Sequence, residues 1–436
     1  MLAEQAIAKA CASGSFRLSL EKPTTAGLIR KVDMSGNDQP APDLWKFVPI
    51  EQYEIPGAPV QGVASDTWQK FKQFFASTTD PLISPLHKEH ELHGLSELQL
   101  EHLVPSLRWE ASLDALDLAL LSWRSEEDAN ERVQYVVTHP HVNRSEILRL
   151  WAQRHGAHVM EPVSIEAVLA GDFDQLPELA CGVWVIPSLE RFFLRHASGL
   201  DLVRELLNRL HGSIKGKYLL GCDSWSWRYL NRVCRVSFTS ALTLQAFDAR
   251  RLERLILGMT LRQGSERICF VNAQNGHNII TVPEGLGESR LELEHLAAHC
   301  RGNVATAVTY WRESLRTIKQ EPQTASPPAQ DHPGSADLNA EREVWVTSLV
   351  PQASMPAGKD EESLLLLHCL LLHGGLGTPS LALAMPVSAS RVDSLLERMR
   401  QMGLLHELDG VWQVRPLAYA AVREMLASHD YLIDDF

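Results

Sequence analysis

Apolar positions change their spacing along the chain, and each change marks a different kind of element. Trp68, Phe71, Phe74 and Phe75 recur at helical spacing, and LDALDLALLSW (113–123) reads as an amphipathic helix. From Arg132 the pattern shifts to short apolar runs separated by helical stretches. VQYVV (133–137) is a β-branched run bounded by His-Pro, the mark of a buried strand. A loop, THPHVNRS, follows, then a helix over Glu146 to His155 that Gly156 should stop. AHVMEP, GVWVI (182–186) and KYLLGC (217–222) read as further strands, with a Leu/Arg-rich helix over about 200–210 between the last two. Strands separated by helices require parallel crossovers, so the expected fold is α/β, a three-layer sandwich on a parallel sheet.

Beyond Asp248 helices dominate the pattern: DARRLERLILGM, RLELEHLAAHC and VATAVTYWRESLR. Residues 318–338 carry four prolines and little that is apolar, which predicts a linker. After it come ESLLLLHCLLLHG, TPSLALAMP and SASRVDSLLERMRQMG, the last with Ser388 as cap and a Gly stop. LLHELDGVWQVRP then predicts a hairpin turning at Asp409-Gly410, and LAYAAVREMLASH a closing helix. Three helices followed by a hairpin is the order of a winged helix. The expected division is 1–110 (role unassigned, partly irregular), 111–245 (α/β core), 246–317 (helical lid), 318–338 (linker) and 339–436 (winged helix).

Composition narrows the functional classes. The 436 residues are 45% hydrophobic and 22% charged, ordinary for a globular chain of two or three cores. No apolar run reaches the ~18 residues of a membrane span, and the first residues lack the charged start and unbroken apolar stretch of a secretory signal. Seven cysteines without a CxxC pair fit reduced thiols, and with them a cytoplasmic location, better than a disulfide framework or a zinc site. A net charge of −13 gives no overall field for polyphosphate.

The order of sheet, lid, linker and winged helix, from Leu113 onward, resembles the AAA+ ATPases of the origin-recognition type and the related STAND switch ATPases. That family carries Gly-x4-Gly-Lys-Ser/Thr between its first strand and helix. The glycines let backbone N–H groups fold round phosphates, the Lys neutralises charge and the hydroxyl holds Mg²⁺. Here Thr138, His139, Pro140, His141, Val142, Asn143, Arg144 and Ser145 occupy that place. In this register Thr138 and Asn143 stand for the glycines, Arg144 for the lysine, and Ser145 fits. The resemblance implies a weakened phosphate cradle formed by Thr138, His141, Val142, Asn143, Arg144 and Ser145. A plain strand-to-helix turn without nucleotide is the competing reading.

The family's third strand ends in an Asp that supports Mg²⁺, followed by a Glu that orients water. GVWVIPSLE ends instead in Pro187 and Ser188, and Glu190 is the one nearby carboxylate, so it is the catalytic candidate. Asp223 stands at the first-sensor position, where its charge would oppose a γ-phosphate. Arg232 and Arg235 follow near an arginine-finger position. Ala305 replaces the lid's sensor arginine, with Arg301 one turn earlier. The fold signals survive while the chemical residues are lost one after another.

Other constellations carry less. His87, His90 and His93 are spaced i, i+3, i+6 and read as a polar surface helix rather than a metal site. No GxSxG elbow occurs, and GLG (285–287) is too short for a dinucleotide fingerprint. Trp225 and Trp227 read as strand, loop or core packing, with a partner surface as the other option. The recognition-helix arginines would be Arg391, Arg398 and Arg400, yet residues 339–436 hold 13 acidic and 7 basic residues and the wing HELDGVW is acidic. Phosphate contacts dominate non-specific DNA affinity, so a protein partner fits better than DNA. Two readings stand. The first is a non-catalytic AAA+/STAND-like scaffold or regulatory switch with weak or absent binding of ATP, ADP and Mg²⁺, a protein partner, and self-assembly as an option. The second is an active ATPase with atypical motifs that remodels or loads a partner, on DNA or elsewhere. No metal ligands are assigned.

Overall fold

The computed structural model describes residues 44–57, 92–125, 132–178, 181–212, 216–234, 241–261, 267–282, 284–287, 290–318, 341–347, 355–356 and 360–436. Trp68, Phe71, Phe74, Phe75, His87, His90, Arg235 and nearly all of the expected linker lie outside them.

The strands are, in chain order, β1 (Phe47–Pro49), β2 (Leu92–Gly94), β3 (Val133–Thr138), β4 (His158–Val159), β5 (Gly182–Ile186), β6 (Gly216–Asp223) and β7 (Ala241–Leu244). They continue as β8 (Arg267–Asn272), β9 (Asn278–Val282), β10 (Gly285–Leu286), β11 (Leu315–Ile318), β12 (Glu341–Val346), β13 (Leu405–Leu408) and β14 (Val411–Val414). The first sheet has the order β1-β7-β3-β6-β5-β4. All neighbours in it are parallel except β1, which lies antiparallel on β7. Every residue of β3 is buried, as a strand covered on both faces requires. Val133, Tyr135 and Val137 join the core on one side, with the helices Asp201–Gly212 and Ser224–Val233; Val136 points into the other, against Arg144–His155. These helix layers make the three-layer α/β sandwich that the sequence predicts.

The segment after β7 is richer than its helical periodicity suggests. Helices Ala249–Leu261, Leu291–His299 and Val304–Ser314 are there, and a second sheet of order β10-β9-β8-β12-β11-β2 runs among them. The β-branched runs RICFVN and NIITV build it, antiparallel to each other, with β12 parallel to β8. So 246–317 is not a purely helical lid. The start of the expected winged-helix segment, 341–346, is a strand of this sheet. Ile318, expected to open the linker, instead closes β11, and β11 pairs with β12. The residues between them therefore join two neighbouring strands.

Other differences are local. The stretch 113–123 forms two helices, Glu110–Ala119 and Leu121–Ser125, rather than one. AHVMEP contributes only the two residues of β4. His93 lies on β2, not on a helix. Trp225 and Trp227 lie buried on a helix rather than on a strand or loop.

Helices Glu361–Leu372, Thr378–Ala384 and Ala389–Gln401, the hairpin β13–β14 and the helix Pro416–Ser428 follow in the winged-helix order. Asp409 (φ 50°) and Gly410 (φ 78°) are both left-handed, as a two-residue hairpin turn needs. Glu361–Leu372 is buried nearly all round. Such a helix belongs inside a larger body, and its side chains join the core that holds Tyr135 and Trp227. Asp43–Phe436 accordingly forms one compact unit. No helix among the described residues is long and apolar enough to cross a membrane.

Candidate functional site

Ligands of open parallel sheets sit outside the carboxyl ends of the strands, where the strand order switches direction. In this sheet β3 leads to β4 on one side, while β7 returns to the other side of β3. The register aligns Thr138 of β3 with Asp223 of β6, and Ile186 of β5 with Leu220, so three carboxyl ends meet at one edge. A cavity of about 450 Å³ opens there, lined by 140–145, Ser188, Glu190, Arg191 and Asp223. Its opposite wall comes from the helices and hairpin after β12: Leu370, Leu371, Gly374, Gly375, His406, Leu408, Gln413, Val414 and Pro416.

The centre of the site is an internal ion pair. Arg144 and Glu190 are each only 5% exposed, and the Arg144 Nη2 donates to Glu190 Oε1. The Arg144 Nε donates to the Pro187 carbonyl at 3.2 Å, and its Nη1 to Thr138 Oγ1 at 3.3 Å. The second Glu190 oxygen accepts the Asp223 backbone N–H at 3.4 Å. Gly221 on β6 makes room for this. A Cβ there would lie 2.3 Å from the Pro187 carbonyl oxygen and 2.8 Å from Arg144 Nε.

Asp223 has a structural task as well. It caps the helix Ser224–Val233, its Oδ1 accepting from Trp225 N at 3.0 Å. Burial pushes its carboxyl far above the usual carboxylate range; Arg144 opposes that and Glu190 adds to it. Burial thus favours the protonated form of this acid.

The loop differs from the expected one in its backbone. His141, not Asn143, takes the left-handed conformation (φ 69°). Asn143 sits at φ −75°, ψ 61° as the residue before the helix Arg144–His155, makes no side-chain cap, and donates from Nδ2 to Glu146. Ser145 Oγ donates to Asn143 Oδ1 at 3.4 Å. Val142 is buried in the core and Thr138 beneath the loop. The His141 ring meets Tyr419 edge-on at 5.8 Å; burial, with His406 nearby, lowers its pKa to about 3.

Thr138, His141, Val142, Asn143, Arg144, Ser145, Glu190 and Asp223 are thus gathered at one place, Thr138 as a buried partner of Arg144 just behind the lining. The sensor substitutes are not. Ala305 is buried and apolar, and Arg301 donates from Nε to the Phe436 carbonyl at 2.6 Å. Arg232 lies exposed near the end of its helix. Instead Asn303 ties the following helix to the loop, donating from Nδ2 to the Pro140 carbonyl at 2.9 Å. Sequence reasoning missed the whole wall supplied from 370–416, and Arg191, which donates to the Gly375 carbonyl at 3.0 Å. No local pattern signals a wall supplied from well over a hundred positions away.

Both Glu190 oxygens and all three Arg144 donor nitrogens are engaged within the protein. Among the described residues no group of three or more His, Cys, Asp or Glu is placed to hold a metal ion.

No protein-family model matches the chain, and no curated protein matches it. Solved structures are similar in part. One, described as "Structural Basis for Katanin Self-Assembly", is 14% identical, covering 59% of this chain and 79% of that one at a TM-score of 0.26. Another, Cdc6p from Pyrobaculum aerophilum, is 10% identical, covering 81% of this chain and 98% of that one, also at 0.26. Both superpose too loosely to bear on the site, which rests on its own geometry.

Proposed function

We propose that the chain is a non-catalytic AAA+/STAND-like scaffold or regulatory switch, with weak or absent nucleotide binding, that engages a protein partner. The Arg144–Glu190 pair carries this reading. It joins, inside the protein, the cation that the resemblance assigns to phosphate and the carboxylate it assigns to water or Mg²⁺. Phosphoryl transfer depends on positioned charge around the phosphates. Charges that neutralise each other in a buried pair supply little of it.

The partner reading rests on the winged helix. Arg391 pairs with Glu362, Arg398 with Asp360, and Arg400 with Glu397 at 2.7 Å. Cations held by neighbouring carboxylates offer little to a phosphate backbone, whereas a mixed-charge face suits protein contact.

Phosphate release from ATP with Mg²⁺ tests the first part. The expected rate is indistinguishable from that without protein. A measurable rate that vanishes in Glu190→Gln, while circular dichroism shows the variant folded, would overturn the reading and make Glu190 catalytic.

A further inference from the structure

Residues 431–436 form neither helix nor strand, yet two of their side chains, Asp434 and Phe436, are buried. The chain leaves the helix Pro416–Ser428 through a left-handed Asp430 (φ 59°) and then runs back across the junction of sheet, lid and winged helix. Asp434 and Phe436 point inward and Asp435 outward, the alternation of an extended peptide seated in side-chain sockets.

Each socket is specific. The Asp434 carboxylate, fully buried, accepts from Arg423 Nε at 2.7 Å on Oδ1, and from Ser224 Oγ at 2.7 Å and Tyr419 OH at 3.1 Å on Oδ2. Arg423 Nη2 also donates to the Asp434 carbonyl at 2.9 Å. The Phe436 ring meets Tyr53 at 4.9 Å and His139 at 4.7 Å, both edge-on, and its carbonyl accepts from Arg301. Asp435 pairs with Arg228 at 2.6 Å on the surface. His368 Nε2 holds the Leu432 carbonyl at 3.1 Å. Three arginines thus converge on one acidic segment in a chain whose net charge is −13.

We infer that this junction is a peptide-recognition site for an extended Asp-x-Phe segment, that residues 431–436 are its resident ligand in cis, and that a partner peptide of the same pattern competes with them. The socket draws its groups from Tyr53, the end of β3, the start of the helix after β6, the lid and the winged helix. Its occupancy therefore latches those parts together. This goes beyond the scaffold reading and stands whether or not a nucleotide enters the cavity.

A segment tethered by a short turn has an effective concentration in the millimolar range, so a free peptide at micromolar concentration hardly displaces it. The test is a fluorescent peptide of the sequence 429–436, titrated by anisotropy into the full chain carrying Asp434→Ala and Phe436→Ala, and into the unaltered chain. The variant is expected to bind the peptide at least roughly tenfold more tightly than the unaltered chain, and a peptide with its own Asp434→Ala to bind neither. A folded variant that ignores the peptide, or equal binding by the two chains, would overturn the inference. Should the variant not fold, hydrogen exchange of the unaltered chain decides. Amides of 431–436 should exchange at least roughly tenfold faster than those in the middle of Pro416–Ser428, because the latch opens as a separate unit. Equal protection would show that it is only part of the core.

Discussion

At the scale of single residues, the buried ion pair makes the sharpest demands. Removing one partner leaves an uncompensated buried charge, which costs about 3–5 kcal/mol, while replacing both with apolar groups is often neutral. Arg144→Met and Glu190→Met should each lower the urea midpoint strongly, and the double variant should recover most of the loss. Additive losses would mean that the two residues act independently. Gly221→Ala attacks the same pair through its space. With a carbonyl oxygen 2.3 Å from the added carbon, overpacking should cost about 1–3 kcal/mol, read as a lower melting temperature.

The histidines around the junction add a pH dependence. Burial lowers the pKa of His139 and His368 to about 4 and that of His373 to about 3. His373 is neutral with its proton on Nδ1, because Nε2 accepts the Arg195 N–H at 3.2 Å and Nδ1 faces the Glu190 carbonyl at 3.3 Å. At pH 5 an unfolded chain protonates these rings and the folded one does not, so protons favour unfolding. Their contribution is complete above pH 6.5 and is lost as the pH falls toward 4. Stability measured by urea unfolding should drop steadily across that window. His373→Gln, which keeps a polar group without the titration, should drop less between pH 7 and pH 5.

At the scale of elements, the helix Ala389–Gln401 makes its own prediction. Changing Arg391, Arg398 and Arg400 together to Gln removes three exposed or half-exposed ion pairs, each worth about 0–1 kcal/mol. The expected outcome is a small loss of stability and no change in DNA retention on a heparin or mobility-shift assay. A marked fall in DNA binding would restore the DNA reading.

The same region shows what was legible in the sequence. Ser388, Gly403 and Asp409-Gly410 are local signals with local physics, and cap, stop and turn all stand where they predict: Ser388 Oγ accepts from Arg391 N at 3.3 Å, and Gly403 takes φ 76°. GVWVI matches β5 to the residue because it is a short apolar run punctuated by Gly182 at one end and Pro187 after the other. The second sheet was not legible. RICFVN and NIITV are too short to separate from helical surroundings by periodicity, and β12 pairs with β8 across some seventy intervening residues. The loop after β3 was legible as a place but not as a state. Its sequence shows an arginine before a serine at a helix start, and only the fold shows that Glu190 already holds that arginine.

At the scale of the whole molecule, the question is what the prolines of 318–338 separate. A flexible tether between independent bodies would predict two folded pieces after a cut. The pairing of β11 with β12 argues otherwise. Leu315 lies opposite Val346 and Arg316 opposite Trp345, so both ends of the segment are anchored in one sheet. Beyond that sheet, Tyr310 OH donates to the Leu417 carbonyl at 2.6 Å, Trp225 Nε1 donates to Tyr419 OH at 3.1 Å, and the latch of 431–436 reaches both Arg301 and Ser224. These contacts join described residues on the two sides of the prolines directly to one another. A long loop between neighbouring strands costs closure entropy that grows only slowly with its length, so cutting it should change stability little. Limited proteolysis is therefore expected to nick within 319–340, and the two fragments should then co-elute on size exclusion under native conditions and separate only in denaturant. The nicked protein should keep a melting temperature within a few degrees of the intact chain, because the pairing of β11 with β12 is kept. Fragments that part on the column would mean that residues 360–436 are held only by the tether, and the latch would then have no junction to hold.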